Sequence, residues 1–428
     1  MQSRFAPLLA AGFFTLAAAS LSARTLVLCG TLIDGIADAP KKEVTVIVDG
    51  DRIAAVQAGY AMAAAGDTVI DLKSATVTPG WIDCHVHLDL VTSPQAFTEQ
   101  FFFNPGDYAL RAAYNAKLTL LAGFTTVRNL GDTSNSTIAL KKAIAKGWVI
   151  GPRIFTAGAP IGTTGGHADG TDGFSDAVME KMASSNVIDG PDAGRRAVRQ
   201  HYKDGADLIK IMASGGVLSV EKSADNAQMQ EDELKAIVTT AHEYGLKVAV
   251  HAHGAEAIRR SVLAGVDSIE HGTYMNEEDI ALMKQHGTWY VPTLSAGHWV
   301  REKAKVPGFF PELVRPKAEI VGAQLDATFR HAYESGVKIA FGTDTGVSAH
   351  GDNALEFTFM VNDGMPPMKA LQVGTIEAAK LIGDEKDIGS VEAGKFADLV
   401  AVPGDLLADI TLVQKVSFVM KAGVVYKQ

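Results

Sequence analysis

The chain has 428 residues, 47% of them hydrophobic and 21% charged, with a formal net charge of −10. That balance is ordinary for a globular protein and excludes a disordered or fibrous chain. The acidic surplus, with no Lys/Arg cluster, excludes a nucleic-acid-binding surface, which needs a basic footprint, and leaves a small molecule as the expected partner.

The N-terminus reads as a secretory signal. Arg4 supplies the positive start, Ala6 to Ala19 an apolar run, and Ala17 to Ala23 the small residues suited to cleavage. About 14 apolar residues fall short of the ~20 that span a membrane. Residues 1–23 are therefore expected to be removed, giving an exported protein, periplasmic or secreted, with no stable membrane insertion. Leu28 is too bulky for lipoprotein processing at Cys29. Export would permit a bridge between Cys29 and Cys84, and the sequence leaves that open. Cys84, on an apolar strand, reads as a buried and inert thiol.

Residues 24–78 carry short β patterns: TLVLCG, then VTVIVDGDRIAAV with a turn at Asp49 to Asp51, then TVIDL. Residues 386–428 repeat the pattern around glycine turns, and the two ends are expected to form one small β-sandwich domain. Between them, over residues 79–385, eight apolar β-like runs alternate with helical segments: GWIDCHVHL, FTTVRNL, RIFTAGAPI, DLIKIMAS, KVAVHAH, DSIEHG, WYVPTL and KIAFGTD. Eight βα units close a (β/α)8 TIM-like barrel, so the fold class is α/β. Helices are expected at Pro105 to Leu121, Gly190 to Tyr202, Gln230 to Tyr244, Gly254 to Ala264, Asn276 to His286 and Lys317 to Ser335, several closed by a capping glycine. Ala168 to Ile188 and Ser295 to Pro311 read as long loops, the places where specificity is set.

On several runs, ionisable residues fall toward the C-terminal end of an otherwise apolar strand, the face on which barrel active sites are built. His85 and His87 are two apart, so both project from one face, with Asp83 beside them, and can hold one metal ion. His251 and His253 repeat that spacing; Glu270-His271-Gly272 and Gly342-Thr343-Asp344 end two further runs. Lys210 would bury an ammonium among Leu208, Ile209, Ile211 and Met212, which is costly unless it is paired or neutralised. It either snorkels to the barrel mouth or is carboxylated by carbon dioxide, becoming an anion able to bridge two metals. Nitrogen and oxygen ligands of this kind suit Zn2+ best among divalent ions.

The motifs TPGWIDCHVH, LIKIMASGGV, VAVHAHG, SIEHG and FGTD, in that order, with the closing GSVEAGKFADLVAV, resemble the amidohydrolase superfamily over essentially the whole mature chain. Within it the sequence is similar to the binuclear zinc branch of Xaa-Pro dipeptidases and ochratoxin-hydrolysing amidases. The resemblance implies two divalent metal ions. His85, His87 and Asp344 would hold one, His251 and His271 the other, with carboxylated Lys210 bridging them. It implies His253 and His167 facing the substrate carbonyl, and a metal-bridging hydroxide attacking an amide bond to an amino acid: a dipeptide, an N-acyl amino acid or an ochratoxin-type amide. Asp344 would relay the proton. Val217, Tyr274 and His350 are further candidate substrate contacts. Met229 stands near where the dipeptidase branch carries an aromatic residue, which leaves carboxylate recognition open. Cyclic-amide hydrolases and imidazolonepropionase-like enzymes are the alternative, since they share the barrel and much of the metal pattern. A metal-free structural role is disfavoured because all six ligand positions are filled. Relatives also imply a homo-oligomer, with an octamer as one form, although the sequence offers no interface argument of its own.

Overall fold

A computed structural model of the chain describes residues 23–178 and 186–428. The expected export signal and part of the Ala168 to Ile188 loop lie outside the described residues. The structure is a mixed α/β fold. Val, Ile and Thr dominate both chain ends, and their branched side chains favour extended backbone. The N-terminal end gives β1 (Thr25–Leu32), β2 (Lys41–Asp49), β3 (Arg52–Ala58) and β4 (Thr68–Pro79). The middle gives β5 (Trp81–Val86), β6 (Phe124–Asn129), β7 (Arg153–Thr156), the two-residue β8 (Gly162–Thr163) and β9 (Val187–Ile188), β10 (Leu208–Met212), β11 (Lys247–Ala252), β12 (Ser268–His271) and β13 (Trp289–Val291). The C-terminal end adds β14 (Leu399–Pro403), β15 (Phe418–Lys421) and β16 (Val424–Lys427).

The two chain ends do pair. They form one seven-stranded sheet in the order β16-β15-β14-β4-β1-β2-β3. The expected sandwich is thus built from a single hydrogen-bonded sheet, because β4 carries β1 on one side and β14 on the other. The segment before β14 folds back onto β3, with Gly394 N–H bonding Ile53 O at 2.8 Å and Ala397 N–H bonding Asp51 O at 2.9 Å. This curl encloses a core that includes Val27, Val46, Leu399 and Phe418.

The middle strands are parallel, β5-β6-β7 in one sheet and β10-β11-β12-β13 in another. Every residue of β5, β6 and β10 is buried, as expected where both faces of a parallel sheet are covered. The sheets are linked at both ends. Ile161, after β7, bonds through its N–H to Lys210 O and through its C=O to Met212 N–H, each at 2.9 Å. Residues 338–344, the eighth predicted run, bond to β13 through Tyr290 N–H to Lys338 O at 2.8 Å and to β5 through Cys84 N–H to Phe341 O at 2.8 Å. They make isolated bridges, not a regular strand, and at their end Asp344 takes a left-handed backbone (φ 55°).

The predicted helix Pro105–Leu121 forms with those bounds, opened by a proline and an Asn104/Asp107 capping box. Helices Pro191–Asp204, Glu231–Glu243, Ala255–Ala264, Glu277–His286 and Arg315–Glu334 fall within a few residues of expectation. The stretch Ser295 to Pro311 is a correction: Leu294–Ala304 is a helix. Its first free N–H groups, on Leu294 and Ser295, bond the Glu356 carboxylate at 2.9 and 2.7 Å, a cap about 60 residues away in sequence that no local pattern reveals. Cys29 and Cys84 are free and buried in separate cores. Among the described residues no helix is long and apolar enough to cross a membrane.

Candidate active site

The C-terminal ends of β5, β10, β11 and β12 and the turn at Asp344 converge on one cavity of about 230 Å³. His85, His87, His167, Lys210, His251, His253, His271 and Asp344 all line it. The imidazoles form one continuous chain: ring centroids lie 5.3 Å apart for His85–His87, 5.1 Å for His85–His271, 4.7 Å for His251–His271, 4.6 Å for His251–His253 and 4.4 Å for His167–His251. His85, His271 and Asp344 offer ligand atoms that all lie within 4.8 Å of one another, and His87 Nε2 is 3.2 Å from Asp344 Oδ1.

Each ring is wired from its outer side. His85 Nδ1 donates to Glu270 Oε2 at 3.0 Å, and His87 Nδ1 to Gly131 O at 3.1 Å. The Thr293 hydroxyl gives its proton to Pro292 O, so it accepts from His271 Nδ1 at 2.8 Å. These bonds pin the proton on Nδ1 and leave the Nε2 lone pairs of His85 and His271 free, while His87 Nε2 faces the Asp344 carboxylate, whose hydrogen bond and charge raise the His87 pKa against the effect of burial. His251 is wired the other way, Nε2 donating to Gly215 O at 3.0 Å, which leaves Nδ1. His271, Thr293 and Asp344 all take left-handed backbones, with φ of 69°, 56° and 55°. Such strain in non-glycine residues persists where the surroundings fix it, and three of the seven such residues among those described line this cavity.

Lys210 is 1% exposed, and its Nζ is buried with no hydrogen-bond partner among the described residues. Burial pushes the amine down to about 8, against the pull of Glu270 and Asp344. Burial likewise lowers His85 and His167 to about 4 and His253 to about 3, so all three are neutral at pH 7. Burial would raise the Glu270 carboxyl, but the charge of Arg128 and the bond from His85 hold it at about 2. Burial also works against ionisation of Asp344, and His85 and His87 overcome it.

The sequence candidates fall into two groups. Val217 lines the cavity with the histidines; Tyr274 and His350 do not. Tyr274 follows the strand end with its N–H on His253 O at 2.8 Å, and His350 spends Nε2 on Leu90 O at 3.1 Å. His253 and His167 are each held through Nδ1, by the Thr273 hydroxyl at 2.6 Å and the Ser219 hydroxyl at 2.9 Å. Sequence reasoning missed the groups that orient the ligands. Arg128 bonds Glu270 Oε1 at 2.8 Å, Ser268 Oγ at 3.1 Å and Cys84 O at 2.6 Å. Asp83 accepts from His85 N–H, Thr343 N–H, Thr343 Oγ1 and Asn353 Nδ2, tying β5 to the Asp344 turn. An Arg in the apolar run FTTVRNL was the one available signal, an unpaired charge on a buried strand.

Comparison with known proteins gives the chain its family. Ochratoxinase from Aspergillus niger is 30% identical over 429 aligned residues, covering 94% of this chain and 86% of that protein. The crystal structure of a Xaa-Pro dipeptidase with bound methionine in the active site superposes with a TM-score of 0.92 at 48% identity, covering 95% of this chain and 100% of that one. The structure of a prolidase complexed with N-methylphosphonate-L-proline gives 0.85 at 31% identity, covering 95% and 100%. The amidohydrolase family matches residues 76–426, the span that holds every residue of the cavity. A hydrolase of the amidohydrolase family is what this chain is.

Proposed function

We propose that the chain is an exported, binuclear metal-dependent hydrolase that cleaves an amide bond to an amino acid, in a dipeptide, an N-acyl amino acid or an ochratoxin-type amide. The observation that carries this reading is Lys210 Nζ, buried with no hydrogen-bond partner among the described residues and set amid imidazoles, of which His85 and His271 have a free Nε2 lone pair. A partnerless amine kept partly neutral can react with carbon dioxide, and the resulting carbamate would supply two anionic oxygens where the histidines supply nitrogens. The donor set therefore fits two divalent ions, Zn2+ best. His85, His87 and Asp344 would hold one, His251 and His271 the other, and carboxylated Lys210 would lie between them. When bound, such ions lower the pKa of a water and polarise a carbonyl.

The chain's own residues supply the rest. Asp344, kept ionised, accepts the proton of the attacking water and passes it to the leaving amine. His253 is neutral, and with Nδ1 accepting from the Thr273 hydroxyl it presents an Nε2 proton to the oxygen on which negative charge develops; the Ser219 hydroxyl donates to Gly216 O and so accepts from His167 Nδ1, which leaves His167 a neutral ring facing the substrate. The strained Asp344 backbone and the Asp83 bonds fix these groups before substrate arrives.

The same reading covers the architecture. Residues 79–385 form a (β/α)8 barrel, which the bonds of residues 338–344 to both β13 and β5 support. Residues 24–78 and 386–428 form the second domain, residues 1–23 are a cleaved signal, and the protein works as a homo-oligomer. The relatives support the substrate class, since ochratoxinase, a Xaa-Pro dipeptidase and a prolidase share its fold. Hydrolysis of a panel of dipeptides, N-acyl amino acids and ochratoxin A, with and without chelator, tests the proposal. Amide cleavage lost on chelation is expected; ring opening of cyclic amides with no cleavage of linear ones would contradict it.

A further inference from the structure

The cavity is lined by two unlike sets of residues. One is the histidines, Lys210 and Asp344; the other is apolar, with Val217 and Leu218, Val300 on the helix Leu294–Ala304, and Val321 and Leu325 on Arg315–Glu334. Those two helices touch through glycines. A Cβ on Gly297 would stand 2.6 Å from Leu325 Cδ1, and one on Gly322 would stand 2.8 Å from Gly297 O. Any larger residue would push the helices apart and open the wall.

The facing wall is a loop held by a single cation. Lys317 Nζ donates to Gly216 O at 2.9 Å, Ser219 O at 2.8 Å and Glu221 O at 2.7 Å, which uses all three of its protons on one short loop. That loop carries Val217 and Leu218 into the cavity, and its Ser219 hydroxyl holds His167. Gly216 is required there, because a Cβ would come within 2.1 Å of the His167 ring. The clamp, the apolar wall and the His167 ring are therefore one mechanical unit.

We propose that the loop Gly216–Glu221, clamped by Lys317 against the crossing helices, forms a subsite for an apolar side chain flanking the scissile amide. The enzyme then selects amides of aliphatic or aromatic amino acids over charged ones, an inference that rests on the amide-hydrolase reading above. A charged side chain in this subsite would lose hydration without gaining a partner, since the side chains that the loop and the two helices give the described lining, Val217, Leu218, Val300, Val321 and Leu325 among them, are apolar. Burying an aliphatic side chain is favourable by about 1.5–3 kcal/mol, a preference of roughly tenfold or more.

Calorimetric titration of the purified full-length protein with L-leucine, L-phenylalanine, L-lysine and L-glutamate tests this without requiring turnover. Leucine and phenylalanine should bind at least about tenfold tighter than lysine and glutamate. Lys317→Met should weaken leucine binding while leaving metal content unchanged, and Lys317→Arg should restore part of it. Equal binding of all four, or binding of none, overturns the subsite. Either result alongside intact amide hydrolysis would overturn the subsite alone and leave the amide-hydrolase reading standing.

Discussion

Glu270 accepts the Nδ1 proton of His85 at 3.0 Å while its other oxygen takes Arg128 Nη2 at 2.8 Å, all three side chains being 3% exposed or less. The carboxylate thus fixes the tautomer of a candidate metal ligand and neutralises a guanidinium that has no route to water. Groups in this position usually change metal affinity by about 10–100-fold when altered. Glu270→Gln should therefore weaken metal retention by that order in competition against a chelator. It should also lower the melting temperature, because breaking a buried pair costs about 3–5 kcal/mol. Unchanged retention would mean that His85 is not a ligand or does not need its orienting bond.

Lys210→Met offers a sharper contrast. Methionine fills the same space without a buried amine, so the metal-free variant should melt no lower than the wild type. Its bound metal should fall sharply and its activity should be lost. With a pKa of about 8, roughly a tenth of the wild-type amine is neutral at pH 7, enough to react with carbon dioxide. Bicarbonate should accordingly speed the recovery of activity when stripped wild-type enzyme is reloaded. No bicarbonate response in the wild type would argue against a carboxylated lysine.

Asp344→Asn should separate binding from proton transfer. The amide keeps an oxygen near His87 Nε2 but cannot accept the water proton, so kcat should fall by about 10²–10⁴-fold with most metal retained. Activity within a few-fold of wild type would remove Asp344 from the proton path.

How much of this was legible in the sequence follows a physical line. Period-two spacing placed His85 with His87 and His251 with His253, and a lysine inside DLIKIMAS signalled itself by its cost. Each of these residues reports its own environment. The unseen parts depend on partners remote in the chain. Glu356 caps a helix whose start is about 60 residues away, and the segment therefore read as a loop. Glu270 was visible only as a neighbour of His271, because its role needs Arg128 from another strand. The left-handed backbone of Asp344 at the end of the eighth run was hidden too, since nothing local marks an aspartate that will adopt a positive φ. Tyr274 and His350 are polar residues close in sequence to the site, and closeness alone did not turn them into the cavity.

Stability should carry a signature of Glu356. Burial pushes its carboxyl up from the ordinary carboxylate range to about 8 in the folded protein. The folded state therefore keeps a proton that the unfolded chain gives up above pH ~4.5, and stability from this group falls as pH rises toward 8. The buried histidines work oppositely, but their contribution is complete above pH ~6.5, where the unfolded rings are already neutral. Between pH 6.5 and 8 the melting temperature should decline, and Glu356→Gln should flatten that decline whatever its effect on absolute stability. Parallel curves for the two proteins would show that the slope has another source.

The most direct test is metal content by mass spectrometry on the purified protein, read together with dipeptide hydrolysis before and after chelation. About two divalent ions per chain, with cleavage lost on chelation and regained on reloading, is the expected result. Linear amide hydrolysis by protein that holds no metal, or that ignores the chelator, would contradict the central claim that His85, His87, Lys210, His251, His271 and Asp344 form a binuclear centre.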